Sequence, residues 1–127
     1  NIAIVDQARD GTGCAIVHSD SASGIQRLNQ EAAKALAAGR RAGFDISEGR
    51  AMTWITKNPA KSLGILDQTG TLEQGKDADI VIWSGNPFSV YTKAEQVYID
   101  GALTFDKASN FMPHTDFDLG IKEWEDK

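Results

Sequence analysis

A chain of 127 residues, 41% hydrophobic and 24% charged, has ordinary globular composition and the length of one domain. It is too short for a complete (β/α)₈ barrel, which takes about 250 residues. A net charge of −5 argues against a general nucleic-acid or anionic-membrane surface, and no apolar run approaches the roughly 18 residues of a membrane-spanning helix. A single cysteine excludes an intrachain disulfide. The chain opens on Asn1, inside a plausible element and without a signal peptide. Excision from a longer polypeptide is therefore expected, and the compartment stays open.

Residues 2–9 carry Ile2, Val5 and Ala8 at three-residue spacing and read as the end of a helix, broken by Asp10-Gly11-Thr12-Gly13. Residues 14–17 form a near-continuous apolar run, the pattern of a strand buried on both faces of a parallel sheet. Residues 19–24 are a polar loop of small residues. A long helix is predicted over residues 25–42, with Ile25, Leu28, Ala32, Ala35 and Leu36 on one side and Gly43 as its stop. Asp45-Ile46-Ser47-Glu48 has the form of a capping box and opens a second helix through Trp54 or Thr56. Asn58-Pro59 opens a third, ended by Gly64.

Beyond Leu66 the character changes to β. Residues 80–83 read as a buried strand and Asn86-Pro87 as a turn. Residues 96–99 and 102–105 flank Asp100-Gly101, the strongest short signal for a two-residue hairpin turn. Residues 107–127 form a polar tail with scattered Phe111, Phe117, Ile121 and Trp124. The expected architecture is α/β followed by β: residues 1–65, residues 66–106, then the tail.

Asp20 is the leading candidate for chemistry. Active sites of α/β folds lie at the carboxyl ends of strands, and a carboxylate just after a buried strand is placed there for metal ligation or proton transfer. The sequence Ser19-Asp20-Ser21 is equally good turn chemistry, so position alone leaves both readings open. His18, two residues earlier, shares a side with Asp20 if the strand continues; a packing or supporting histidine is the expectation. His114 reads as a surface residue. Cys14 reads as a buried, inert thiol, with no local partner to activate it. Ser19, Ser21 and Ser23 lack a neighbouring base at a recognisable spacing and read as loop serines. Gly11 and Gly13 stand in the wrong order for a dinucleotide fingerprint. Glu73, Asp77 and Asp79 lack the spacing of a calcium loop. Trp54 and Trp83 are assigned to the core and to the end of a buried strand.

Several segments, in order, resemble one family. They are His18-Ser19-Asp20-Ser21, residues 29–34 (NQEAAK), residues 55–64 (ITKNPAKSLG), residues 70–83 (GTLEQGKDADIVIW), Asn86-Pro87 and residues 97–101. Together they span roughly residues 16–106 and resemble the imidazolonepropionase-like branch of the metal-dependent amidohydrolases. The resemblance implies the C-terminal piece of a (β/α)₈ barrel, its last strand and closing helices, followed by part of a β-sandwich. It also implies one or two divalent metals, usually zinc, an activated water and cleavage of a carbon–nitrogen bond. Asp20 matches the aspartate after the eighth strand, which binds metal and relays the proton. The family's other metal ligands have no match among these residues, so these 127 residues alone are expected to be inactive. A small-molecule substrate and a homo-oligomer are expected, with neither nucleic acid nor membrane as partner. A deaminase would keep the family and change the chemistry. A self-standing α+β module that supports structure or binds a partner is the competing expectation from another class.

Overall fold

The computed structural model describes residues 2–109. Four helices come first: α1 (Ile2–Gly11), α2 (Leu28–Arg41), α3 (Glu48–Met52) and α4 (Lys57–Leu63). Short 3₁₀ turns at Ile25–Arg27 and Thr53–Ile55 precede α2 and follow α3. Three strands follow, β1 (Ile80–Trp83), β2 (Ala94–Ile99) and β3 (Ala102–Asp106), paired antiparallel in the order β1-β2-β3. No described helix is long and apolar enough to cross a membrane.

The core belongs to the helical half. Ala3, Ala15, Ala32, Leu36, Ile46, Ala51 and Trp54 form one buried cluster. On α2, Ala32, Leu36 and Gly39 recur at helical spacing and face inward. Gly39 is there for closeness: a Cβ on it would lie 2.7 Å from the Cβ of Ala3, so α1 and α2 could not meet at this distance with a larger residue. Gly43 (φ 91°) and Gly64 (φ 77°) stop α2 and α4 in the left-handed region that glycine reaches without strain. The predicted long helix and both stops are thus observed.

Other expectations are corrected. Along α1 the buried residues are Ala3 and Asp6, while Val5 and Ala8 are exposed. The second helix begins at Glu48, capped by Ser47, whose Oγ accepts from the Arg50 N–H at 3.1 Å. Asp45 does not cap it, because the chain first buries Ile46 in the core and presents its carbonyl to Arg40 Nε at 2.9 Å. Asn58 lies inside α4, buried, with its amide spent elsewhere. Residues 13–19 form no helix and pair with no strand among the described residues, and of them only Ala15 is fully buried. Cys14 is exposed rather than buried.

The hairpin is as predicted: Asp100 (φ 50°) and Gly101 (φ 76°) both take positive φ, as a primed two-residue turn demands. The strand over residues 80–83 is observed too, but it is not buried. Its pattern runs half-buried, exposed, exposed, half-buried, with Trp83 half-buried at its end. No Cα of a described helix comes within 8 Å of a Cα of the three strands. One connection is the loop between β1 and β2, where Phe88 packs against the helical core. Asn29 Nδ2 holds that loop through the Pro87 carbonyl at 2.6 Å, and Asn86 Nδ2 donates to Glu48 Oε2 at 3.0 Å. His114 and residues 110–127 of the expected tail lie outside the described residues.

Candidate functional site

The backbone before Asp20 is held by side chains instead of a sheet. Arg50 Nη2 donates to the Gly13 carbonyl at 2.9 Å, and Asn58 Nδ2 donates to the Ala15 carbonyl at 2.7 Å. The Val17 N–H donates to the Trp54 carbonyl at 3.0 Å. These are alternate residues, and in an extended chain alternate residues present their polar groups to the same edge. One edge of residues 13–17 is therefore bound to the α3–α4 region. Gly13 permits a close approach to α1 as well, since a Cβ there would lie 1.8 Å from the Val5 carbonyl oxygen.

Arg50 is fixed in turn by a buried carboxylate. Asp6 is fully buried, and its Oδ1 accepts from Arg50 Nε and from Trp54 Nε1, each at 2.7 Å. Gln7 Nε2 donates to Oδ2 at 3.0 Å. A buried charge is tolerable only when paired and hydrogen-bonded, and Trp54 likewise needs an acceptor for its buried indole N–H. Asp6 answers both needs. Asp6, Arg50 and Asn58 as contacts were not foreseen from sequence. Their partners lie 37 to 48 residues away, and no local spacing announces such pairings.

After Val17 the chain leaves the clamp, and it bends at Asp20. Ser19 Oγ accepts from the Ser21 N–H at 3.1 Å, and Ser21 Oγ accepts from the Gly24 N–H at 3.2 Å. The three loop serines thus act as predicted, in the turn: Ser21 Oγ also lies 3.0 Å from Ser23 Oγ. Asp20 takes no part in those bonds. Its side chain is 96% exposed, and its contact among the described residues is with His18, Nδ1 to Oδ1 at 3.4 Å. His18 is itself exposed rather than packed, with 73% of its side chain accessible. The structure thus brings His18 and Asp20 to one face. It brings no third His, Cys, Asp or Glu to them: among the described residues no group of three or more such side chains could hold a metal ion. Two shallow grooves flank Phe88, lined by Met52, Pro87 and Glu48 on one side and by Leu36, Arg40 and Arg41 on the other. Neither includes His18 or Asp20.

The loop after α4 is organised around Lys76. Its ammonium donates to the Leu66 carbonyl at 2.5 Å and to Thr71 Oγ1 at 2.6 Å, and lies 3.1 Å from Glu73 Oε2. The hydrogen bond and charge of Lys76 hold the Glu73 carboxyl below its ordinary value of 4.5. Asp79 ties this loop to the hairpin, accepting from the Asp100 N–H at 3.1 Å and from Thr69 Oγ1 at 3.2 Å. Glu73 and Asp79 thus make bonds that hold this loop and the hairpin together.

Residues 2–113 match the model of the amidohydrolase family. Among curated relatives, the imidazolonepropionase of Brucella anthropi is 46% identical over 55 residues, which are 43% of this chain and 12% of that protein. Amidohydrolase tasK of Hapsidospora irregularis is 41% identical over 56 residues, covering 44% of this chain and 6% of that protein. A crystal structure of an amidohydrolase from Thermotoga maritima MSB8 superposes with a TM-score of 0.68 at 33% identity, over 84% of this chain and 27% of that one. The chain thus spans only a small part of the length of the proteins it matches. With the family model covering most of its residues, and with imidazolonepropionases among its relatives, the chain belongs to the amidohydrolase family, in its imidazolonepropionase-like branch.

Proposed function

We propose that these residues are the C-terminal part of a metal-dependent amidohydrolase and that Asp20 serves its active centre. On this reading residues 1–65 carry the last barrel strand and the helices that close the barrel. Residues 66–106 return to a β-sandwich, and the remainder is a polar tail. The reaction class is hydrolysis of a carbon–nitrogen bond in a small molecule, such as a cyclic or dipeptide-like amide.

The observation that carries the reading is the idle carboxylate of Asp20. The serines on either side make the turn's hydrogen bonds, so Asp20 is not needed as a cap. An exposed carboxylate at the end of a clamped extended segment stands where α/β enzymes keep their catalytic groups.

The donors brought together among the described residues do not complete a metal site. One carboxylate and one imidazole fall short of the three protein ligands a catalytic zinc site takes, so Asp20 would be one ligand among others contributed elsewhere in the polypeptide. A divalent ion there, zinc being the expected one, would supply Lewis acidity and activate water. Asp20 itself would take the proton of the attacking water and return it to the leaving nitrogen. Both tasks require a carboxylate whose oxygens can reach the reacting atoms, and the contact with His18 engages only Oδ1.

The test uses the whole polypeptide that the gene encodes around these residues. Dihydrouracil, hydantoin and N-acetyl dipeptides are the substrates, and metal content is measured alongside. Hydrolysis of at least one is expected, with Asp20→Asn lowering kcat by about 10²-fold or more. An unchanged kcat in that variant would remove Asp20 from the mechanism. The 127 residues alone are expected to be inactive and to bind zinc weakly at best. Tight, stoichiometric zinc binding by calorimetry would overturn this second expectation.

A further inference from the structure

We infer that Arg50, assisted by Asn58, is a positioning residue that locks the register of residues 13–19 and thereby presents His18 and Asp20 on the same exposed face. The effect on catalysis rests on the proposed role of Asp20; the register lock stands on geometry alone.

In an extended segment, parity links edge to face. The groups gripped by the helices belong to Gly13, Ala15 and Val17. Of the side chains of the opposite parity, Cys14, His18 and Asp20 are exposed and Ile16 is half-buried, whereas Ala15 is buried and Val17 half-buried. A slip of one residue would exchange the two sets and turn Ser19 outward in place of His18 and Asp20. In a sheet, register is held by a ladder on each side. Here no ladder exists among the described residues, and the three side-chain and backbone bonds to α3, α4 and the turn between them take its place.

Arg50 suits this task because its guanidinium is a rigid fork. Nε is committed to Asp6 Oδ1, which orients the plane, and Nη2 then reaches the Gly13 carbonyl at 2.9 Å. A lysine can keep the charge opposite Asp6 but has no second nitrogen in fixed geometry. The anchor also lies directly after a costly stretch of backbone, since Arg9 (φ 52°) and Asp10 (φ 57°) both sit in the left-handed region. A bond at Gly13 stops that turn from relaxing into the segment that follows.

The test compares Arg50→Lys and Asn58→Ala with Arg40→Lys, a control in which the lost contact goes to the Ile46 carbonyl, away from the segment. Amide hydrogen exchange is read at Val17, whose own bond to Trp54 neither variant removes, and at Leu36 in the core. In Arg50→Lys, exchange at Val17 should accelerate about tenfold or more, as for loss of one hydrogen bond to a charged donor, with Leu36 unchanged. Asn58→Ala should act in the same direction and Arg40→Lys should leave Val17 alone. Equal acceleration at Val17 and Leu36 would make Arg50 ordinary structural cement, and no acceleration would remove the lock; either result overturns the inference. In the whole polypeptide, Arg50→Lys should lower kcat about tenfold with little change in KM on the substrate identified above. If Asp20→Asn keeps full activity, the proposed function fails while the lock is still judged by exchange.

Discussion

At the scale of single residues, the buried carboxylate of Asp6 has the largest consequence for stability. Replacing it with alanine would leave the Trp54 indole N–H without an acceptor and the Arg50 guanidinium facing an apolar gap. Breaking a buried pair from one side costs about 3–5 kcal/mol. Arg50 keeps 34% of its side chain in contact with water, which can rehydrate it, so the lower end applies. Asp6→Ala should therefore lower unfolding stability by about 3 kcal/mol, read from urea denaturation. Asp6→Asn retains an acceptor for Trp54 and should cost less. A loss below about 0.5 kcal/mol in the alanine variant would mean that the network contributes little. None of this was visible in the sequence. Asp6 sits in a short run with Ile2, Val5 and Ala8 at helical spacing, and that pattern pointed to the wrong buried face. The polar residue won the interior because its partners come from 44 and 48 positions away.

At the scale of elements, what could be read locally was read correctly. The stripe of α2, the glycine stops at Gly43 and Gly64 and the Asp100-Gly101 hairpin depend on neighbours within a few residues, and all are present. Where tertiary contacts compete, local signals misled. Ser47 replaced Asp45 as cap because Ile46 had to enter the core first, and Asn58 left its capping role to hold Ala15. The position of Asp20 after an extended apolar run was legible, but the exposure of His18 and Cys14 beside it was not, because the side-chain clamp sets which residues face outward. The loop of residues 65–79 offers a pH-dependent test of an element built on local bonds. Lys76 holds the Glu73 carboxyl below 4.5, so the folded state binds that proton less readily than the unfolded one. The stabilisation is then fully present above the ordinary carboxylate value and lost as pH falls through the lower folded value. Wild type should exceed Glu73→Gln in urea midpoint at pH 7, and the two midpoints should converge as pH falls below the ordinary carboxylate range. A gap that persists unchanged in acid would show that the carboxylate charge is not its source.

At the scale of the whole molecule, the two halves are unequally covered. The helical half has a contiguous core, whereas the sheet carries apolar residues on both faces. The strand register sets Val81, Val97 and Phe105 on one face and Ile80, Tyr98 and Leu103 on the other. Val81 is 40% exposed, Leu103 47% and Ile99 54%. Apolar surface of this kind, together with a segment over residues 13–19 that has no ladder among the described residues, favours association. The amidohydrolase reading accounts for it as surface that the rest of a barrel and sandwich would cover; a self-standing module has no such need. The isolated chain should therefore form dimers or larger species that grow with concentration, measured by size-exclusion chromatography with light scattering. Val81→Lys combined with Leu103→Lys, one substitution on each face, should shift the population toward monomer. A monodisperse monomer at every concentration would instead favour the self-standing module, because a surface left bare by missing neighbours should not stay unpaired as the chain is concentrated.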